Sequence, residues 1–336
     1  MRLRFRLPLL LCLVIFFSFG RHYITGVGKT AFAFEIDADK VLWNHLSYRA
    51  QSIIGKMTTD VYLSTSPAEE VVDLLIPVPG GGALHASGAT VFSIKVQSNI
   101  KPLLGFDEIL KTQSWIDSKA AAALQRIRLR LGQERWQKSY RFTDKGVYRL
   151  RTKPQDSREN ELPPEQWTKA RDSFYSYDAA SSICSAVLET SSLLMVASVI
   201  KQMQPDTPVQ LCVFNKQQLH QVKVSVDGPR TLKVNYLEKS GTNQTRRENA
   251  VDAIKISFQP RSLALNNEDP EEFSFLGLKG DFDIYVEQDS GLPVQVSGKI
   301  ATFGKIDIRL QTVKFAPNIR SSRQKRTNYS NVIRPY

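Results

Sequence analysis

Arg126, Arg128 and Arg130 alternate with Ile127, Leu129 and Leu131. A two-residue period sends the three guanidinium groups off one face of a strand and the three aliphatic side chains off the other. Guanidinium is planar and permanently charged, and it grips phosphate or carboxylate through paired N–H donors. Arg126, Arg128 and Arg130 are therefore the candidate ligand-binding residues of this chain. The competing reading is a solvated face whose charges meet acids across the sheet. Read from the alternation alone, this is a strand with a basic outer face.

A second constellation is a carboxylate pair. Asp281 and Asp283 share one face of a run whose apolar set is Phe282, Ile284 and Val286. Same-face neighbours on a strand lie about 7 Å apart, a separation that glycoside hydrolysis uses. An envelope glycan-acting enzyme is the alternative function that rests on this pair. Charges alternating with apolar residues otherwise describe a wet sheet face, and no catalytic residue is assigned.

Other chemistry is excluded by pattern. His45, His85 and His220 stand far apart in the chain with no metal-like neighbours. Glu268, Asp269, Glu271 and Glu272 lack the glycine and alternating oxygen ligands of a calcium loop. Gly26 to Thr30 imitates a phosphate-binding loop, but Tyr23 stands where the leading glycine belongs. The Gly-x-Ser-x-Gly, His-Glu-x-x-His and Cys-x-x-Cys signatures are missing. Neither a metal nor a cofactor is expected.

Charge and hydropathy speak to compartment. Arg2, Arg4 and Arg6 precede an apolar run from Leu7 to Phe19. That run is shorter than a membrane span and suits the core of a secretory signal peptide. Residues 1–33 are read as this signal, with cleavage after Ala33 or after Gly20 and an uncleaved anchor as the alternative. The formal net charge is +12, of which residues 1–33 and 317–336 carry +5 each, leaving +2 for the body between them. A near-neutral body argues against nucleic acid as a partner. The basic end, 317–336, reads as a disordered tail able to touch an anionic membrane. Beyond Cys12, the cysteines are Cys184 and Cys212. An exported chain can join them in a disulfide. The apolar strand around Cys212 favours two free thiols instead.

The elements that must position these residues are mostly strands. Alternation predicts strands over 42–63, 72–76 and 91–96, and a strand after a helix-like or irregular stretch ending at Leu124. A hairpin over 136–152 turns at Asp144-Lys145-Gly146. A short helix is expected from Pro164 to about Ser173, and one long helix from Ser181 to Met203. Four strands follow, 209–214, 219–226, 231–237 and 251–258, with Asp227-Gly228-Pro229 as a tight turn. The run from Phe273 to Val313 closes the chain as an antiparallel meander with one wet face. Residues 34–316 thus form one β-rich domain with a helical insert near 164–203.

Several short segments in this order resemble a known family. They are His45-Leu46-Ser47-Tyr48 with Gly55-Lys56, then Thr112 to Asp117, Tyr177-Asp178, and Val209 to Asn235. Tyr285-Val286 through Asp289, Leu292-Pro293-Val294 and Gly304-Lys305-Ile306 complete the set. Together they are similar to a family of exported bacterial proteins catalogued as a domain of unknown function, the 3108 series. The resemblance implies a curved antiparallel sheet, or partly open β-barrel, in the cell envelope. Its shape is broadly that of lipoprotein carriers, which hold acyl chains. It supplies no catalytic residues. The resulting expectation is a periplasmic or outer-membrane-associated binding or structural module that holds a lipid-like or apolar ligand. Its partners would be envelope lipid or another envelope protein.

Overall fold

The structure is a computed structural model that describes residues 36–52, 55–177, 183–200, 208–263, 272–300 and 304–316. The signal (1–33), the basic tail (317–336) and the acidic loop up to Glu271 lie outside the described residues.

Period-two alternation becomes strand nearly everywhere. In chain order the strands are β1 (Trp43–Ser52), β2 (Gly55–Pro67), β3 (Thr90–Pro102) and β4 (Glu108–Asp117). Next come β5 (Ala123–Leu131), β6 (Trp136–Phe142), β7 (Gly146–Lys153) and β8 (Lys169–Ser176). The second half holds β9 (Val187–Glu189), β10 (Val209–Asn215), β11 (Gln218–Ser240) and β12 (Asn243–Ser262). The last four are β13 (Ser274–Phe275), β14 (Leu278–Glu287), β15 (Pro293–Ile300) and β16 (Gly304–Phe315).

They form one sheet in the order β8-β7-β6-β5-β4-β3-β2-β1-β16-β15-β14-β12-β11-β10-β9, with β13 on β14 and an added β16–β11 pairing. Pairing is antiparallel except at β9–β10 and β11–β16. The path is open between β8 and β9. The protein is mainly β, with a strongly curved sheet that is not closed as a barrel.

The inner face is apolar over most of its extent. Leu46 faces Val61 and Val61 faces Val96 in register, so one apolar row crosses three strands. Helix α2 (Leu193–Ile200) fills the hollow, with Leu193, Leu194, Met195, Val196 and Ala197 fully buried. Trp43 donates its indole N–H to Ser198 Oγ at 3.0 Å, which fixes α2 to β1. Tyr48 donates to the Pro293 carbonyl at 2.8 Å and ties β1 to β15. Gly298 lets the sheet close up here, because a Cβ would stand 2.9 Å from Leu278 Cδ1.

A second layer covers the outer face of β3–β5. Segment 68–88 carries α1 (Ala68–Val71), whose Val71 packs with Val91, Trp115 and Leu124. Buried Gln125 holds this segment by accepting from Ile76 N–H and donating to the Leu74 carbonyl. Arg141 does the same further along, donating to the carbonyls of Leu84 at 2.5 Å and Leu124 at 2.6 Å. Burial pulls the Arg141 guanidinium down to about 10.

Several expectations are corrected. Residues 72–76 are not a strand but begin with a 3-10 turn, Val72–Leu74. The helix expected after Pro164 is a 3-10 turn, Pro164–Gln166, followed by edge strand β8. Pairing with β7 overrides the local preference there. The helix expected from Ser181 splits into β9, the 3-10 turn Thr190–Ser192, and α2. A continuous apolar run does not distinguish buried strand from buried helix. Asp227-Gly228-Pro229 is not a turn; it is an irregularity inside β11, which pairs with β12 on both sides of it. Strand β4 went unread in the sequence. Cys184 and Cys212 are joined in a disulfide with Cα atoms 5.8 Å apart, which overturns the free-thiol reading. The folding of β9 and β10 back over the sheet brings them together.

Candidate anion-binding site

The three arginines do lie on one face of β5, but that face is the inner one. Register places Arg126 opposite Ser114, Arg128 opposite Thr112 and Arg130 opposite Leu110. Ile127 points the other way and packs against the outer layer that contains Val71 and Trp115. The solvated outer face expected from alternation is therefore corrected: the aliphatic side of β5 is outside, under segment 68–88.

The arginines form a depth gradient. Arg126 is 1% exposed. Its guanidinium stacks 4.4 Å over the Tyr140 ring and donates through Nη1 to the Phe214 carbonyl at 3.4 Å. Glu189 Oε2 stands 3.9 Å away. Arg126 Nε and Nη2 have no hydrogen-bond partner. Arg128 is half-buried, 5.7 Å over the Trp136 ring. Burial first, and then repulsion from Arg126, lowers its pKa from the ordinary range. Arg130 sits at the rim and is tied to Glu108 and, at 3.8 Å, to Glu134.

Arg126 and Arg128 line a cavity of about 200 Å³. Its lining is otherwise mixed: Met57, Val96, Ile100, Leu110, Phe275 and Leu276 are apolar, and Ser98, Thr112, Thr190 and Ser274 stand among them. Ser191, Asn215 and Lys216 add polar groups at the lining. Ser191 comes from the 3-10 turn before α2, where Glu189 accepts from Ser192 N–H and Ser114 Oγ meets Ser191 Oγ at 3.2 Å. Lys216 and Leu276 adopt left-handed backbone, at φ 52° and 48°. Each is the first residue of a two-residue hairpin turn, β10–β11 and β13–β14, and the primed turns that join such strands take positive φ there. Ile100 and Leu110 stand at the base of the β3–β4 turn, whose Leu103, Leu104 and Phe106 are 70%, 88% and 67% exposed.

This arrangement suits a ligand with two ends. Arg126 has Glu189 as its counter-charge, and the half-buried Arg128 beside it adds a second guanidinium at the cavity. The apolar residues of the lining gain from covering apolar carbon. Alternation in the sequence found the arginines; nothing local in the sequence pointed to Glu189, Asn215 or Phe275, which come from other strands.

The carboxylate pair lies apart from this cavity. Asp281 is exposed and lies 3.8 Å from Arg261. Asp283 accepts from Ser257 Oγ at 2.7 Å and lies 3.7 Å from Lys255. Both point away from the core that holds Phe282 and Ile284. His45 meets Asp60 at 3.1 Å and stacks on Tyr62. Among the described residues no cluster of three metal-ligating side chains occurs. No helix there is long and apolar enough to cross a membrane.

No protein-family model matches the chain, and no curated protein matches it. The resemblance to the 3108 series is thus not carried by a family match. Among solved structures, the chain is similar to a β-barrel-like protein of domain of unknown function DUF1849 from Brucella abortus. The identity is 7% and the TM-score 0.43, over 83% of this chain and 99% of that one. No functional argument rests on a likeness that distant.

Proposed function

We propose that this protein is an exported, non-catalytic binding module that holds an anionic amphiphile in the hollow of its sheet. The acidic head meets Arg126 and Arg128, and the first carbons of the tail lie on the apolar residues of the lining, Met57 to Leu276. The observation that carries this reading is a cavity of about 200 Å³ lined by the Arg126 and Arg128 side chains together with Met57, Val96, Ile100 and Phe275. A volume of about 200 Å³ holds a head group and a short length of chain. The remainder of a longer tail would pass the exposed apolar turn at Leu103 to Phe106. Export is supported by the N-terminal signal pattern and by the Cys184–Cys212 disulfide, which persists in oxidising compartments. Envelope lipid is the natural source of such a ligand.

The test is lipid mass spectrometry on the purified protein together with titration of soluble short-chain phosphatidic acid. An acidic amphiphile should co-purify. Arg128→Gln should weaken the titrated binding about tenfold to a hundredfold, the worth of a charged hydrogen bond. Leu110→Asp should weaken it as well. Unchanged affinity in both variants, with no amphiphile recovered, would overturn the reading.

A further inference from the structure

The inner face of β5–β8 carries an arrangement that folding alone does not favour. Arg128 stands in register opposite Lys138, Lys138 opposite Arg151, and Arg151 opposite Arg171. Four cations therefore occupy one row across four adjacent strands. The next row towards the rim pairs Lys153 with Lys169. Like charges directly opposite one another destabilise a sheet, and here three such pairs follow in series. On either side of Arg128 along β5, Arg126 pairs with Glu189 and Arg130 with Glu108 and Glu134. Among the described residues no ion pair ties Arg128, Arg151 or Arg171. No acid stands at the in-register positions of these rows. Aromatic rings keep the cations upright: Arg128 and Lys138 lie over Trp136, at 5.7 Å and 4.4 Å, and Arg149 lies over Tyr175 at 5.1 Å.

We infer that the ligand head carries several anionic groups in a row, lying along the ladder Arg128–Lys138–Arg151–Arg171 from the cavity to edge strand β8. This rests on the amphiphile reading above and names its class: a lipid whose head bears two or more phosphate or carboxylate groups. Neighbouring strands are about 4.8 Å apart. Successive anionic groups spaced by one ring or one short linker match that interval, and each meets its own cation. The cavity fixes the first anion and the start of the tail. The ladder reads how many further charges the head holds.

The experiment compares soluble short-chain phosphatidic acid, with one phosphate, against short-chain phosphatidylinositol bisphosphate, with three. Tripolyphosphate and an oligothymidylate serve as tail-free polyanions. The full-length protein should bind the three-phosphate lipid at least about tenfold more tightly than the one-phosphate lipid. Arg151→Gln with Arg171→Gln should erase that difference and leave affinity for the one-phosphate lipid unchanged. The same double variant, without ligand, should melt at the wild-type Tm or above it, because repulsion has been relieved. Equal affinity for the two lipids in the wild type overturns the ladder and leaves the cavity reading standing. Failure of both lipids to bind overturns the cavity reading itself. A lower Tm in the unliganded double variant would show that the ladder cations are structural. Tripolyphosphate or oligothymidylate binding as tightly as the three-phosphate lipid would show a general polyanion track and overturn the lipid class.

Discussion

The two halves of this sheet have opposite interiors. Over β1, β2 and β14–β16 the inner face is aliphatic and aromatic, and α2 fills the space against it. Over β5–β8 the inner face is basic, with Arg126, Arg128, Lys138, Arg149 and Arg151 standing where the first half has Leu46, Val61, Ile284 and Val296. One half spends its inner face on stability. The other sets cation against cation along a row, Arg128, Lys138 and Arg151, and it adjoins the cavity. A core that merely needed filling would not retain guanidinium groups, since apolar residues of similar size do that with less desolvation cost.

The comparison can be broken from either side. The largest effect is expected in the filled half. Phe258 is fully buried and stacks on Phe282 at 4.8 Å. Phe258→Ala should cost about 3–5 kcal/mol in denaturant unfolding while leaving amphiphile affinity of the folded protein near wild type. A variant that lost binding without losing stability would show that the two halves are not separate in role.

A smaller but more telling effect is expected from Glu189→Gln. It removes the carboxylate 3.9 Å from Arg126 while keeping an oxygen for Ser192 N–H. Stripping a buried cation of its counter-charge should destabilise the empty protein by about 3 kcal/mol. The same change should tighten binding of an anionic ligand, because the head no longer competes with an internal acid. Calorimetry on the variant with and without short-chain phosphatidic acid reads both signs. Weaker binding in this variant would place the ligand head away from Arg126.

The smallest effect concerns alkaline pH. Burial raises the phenols of Tyr48, in the filled half, and Tyr177, beside the disulfide, well above the ordinary tyrosine range. An unfolded tyrosine ionises near pH 10. Below that, the folded and unfolded states hold the same protons. As pH rises beyond it, the unfolded state sheds protons that the folded state keeps, so stability falls. Arg141, lowered to about 10, acts in the opposite sense over the interval above that value. Tyr48→Phe should reduce the alkaline loss and, through the missing bond to the Pro293 carbonyl, cost about 1 kcal/mol at neutral pH. A wild-type stability that stays flat well above pH 10 would contradict the burial of both phenols.

Much of the architecture was legible in the residues themselves. Alternation at Phe282, Ile284 and Val286, at Ile306, Ile308 and Leu310, and at Arg126 to Leu131 marks strands because successive side chains must leave opposite faces. That local rule settled the mainly β class, the closing hairpins β14–β16 and the β6–β7 hairpin. It also put the three arginines on one side of β5. What it does not contain is which side becomes the inside. That was decided by the curvature of the sheet, by segment 68–88 covering Ile127, and by β9 and β10 folding over Arg126. The same long-range fold-over made a strand of Val187–Glu189 and brought Cys184 to Cys212, neither of which a window of neighbouring residues encodes. A period-two sequence defines two faces; only the packing of distant strands decides which of them meets water.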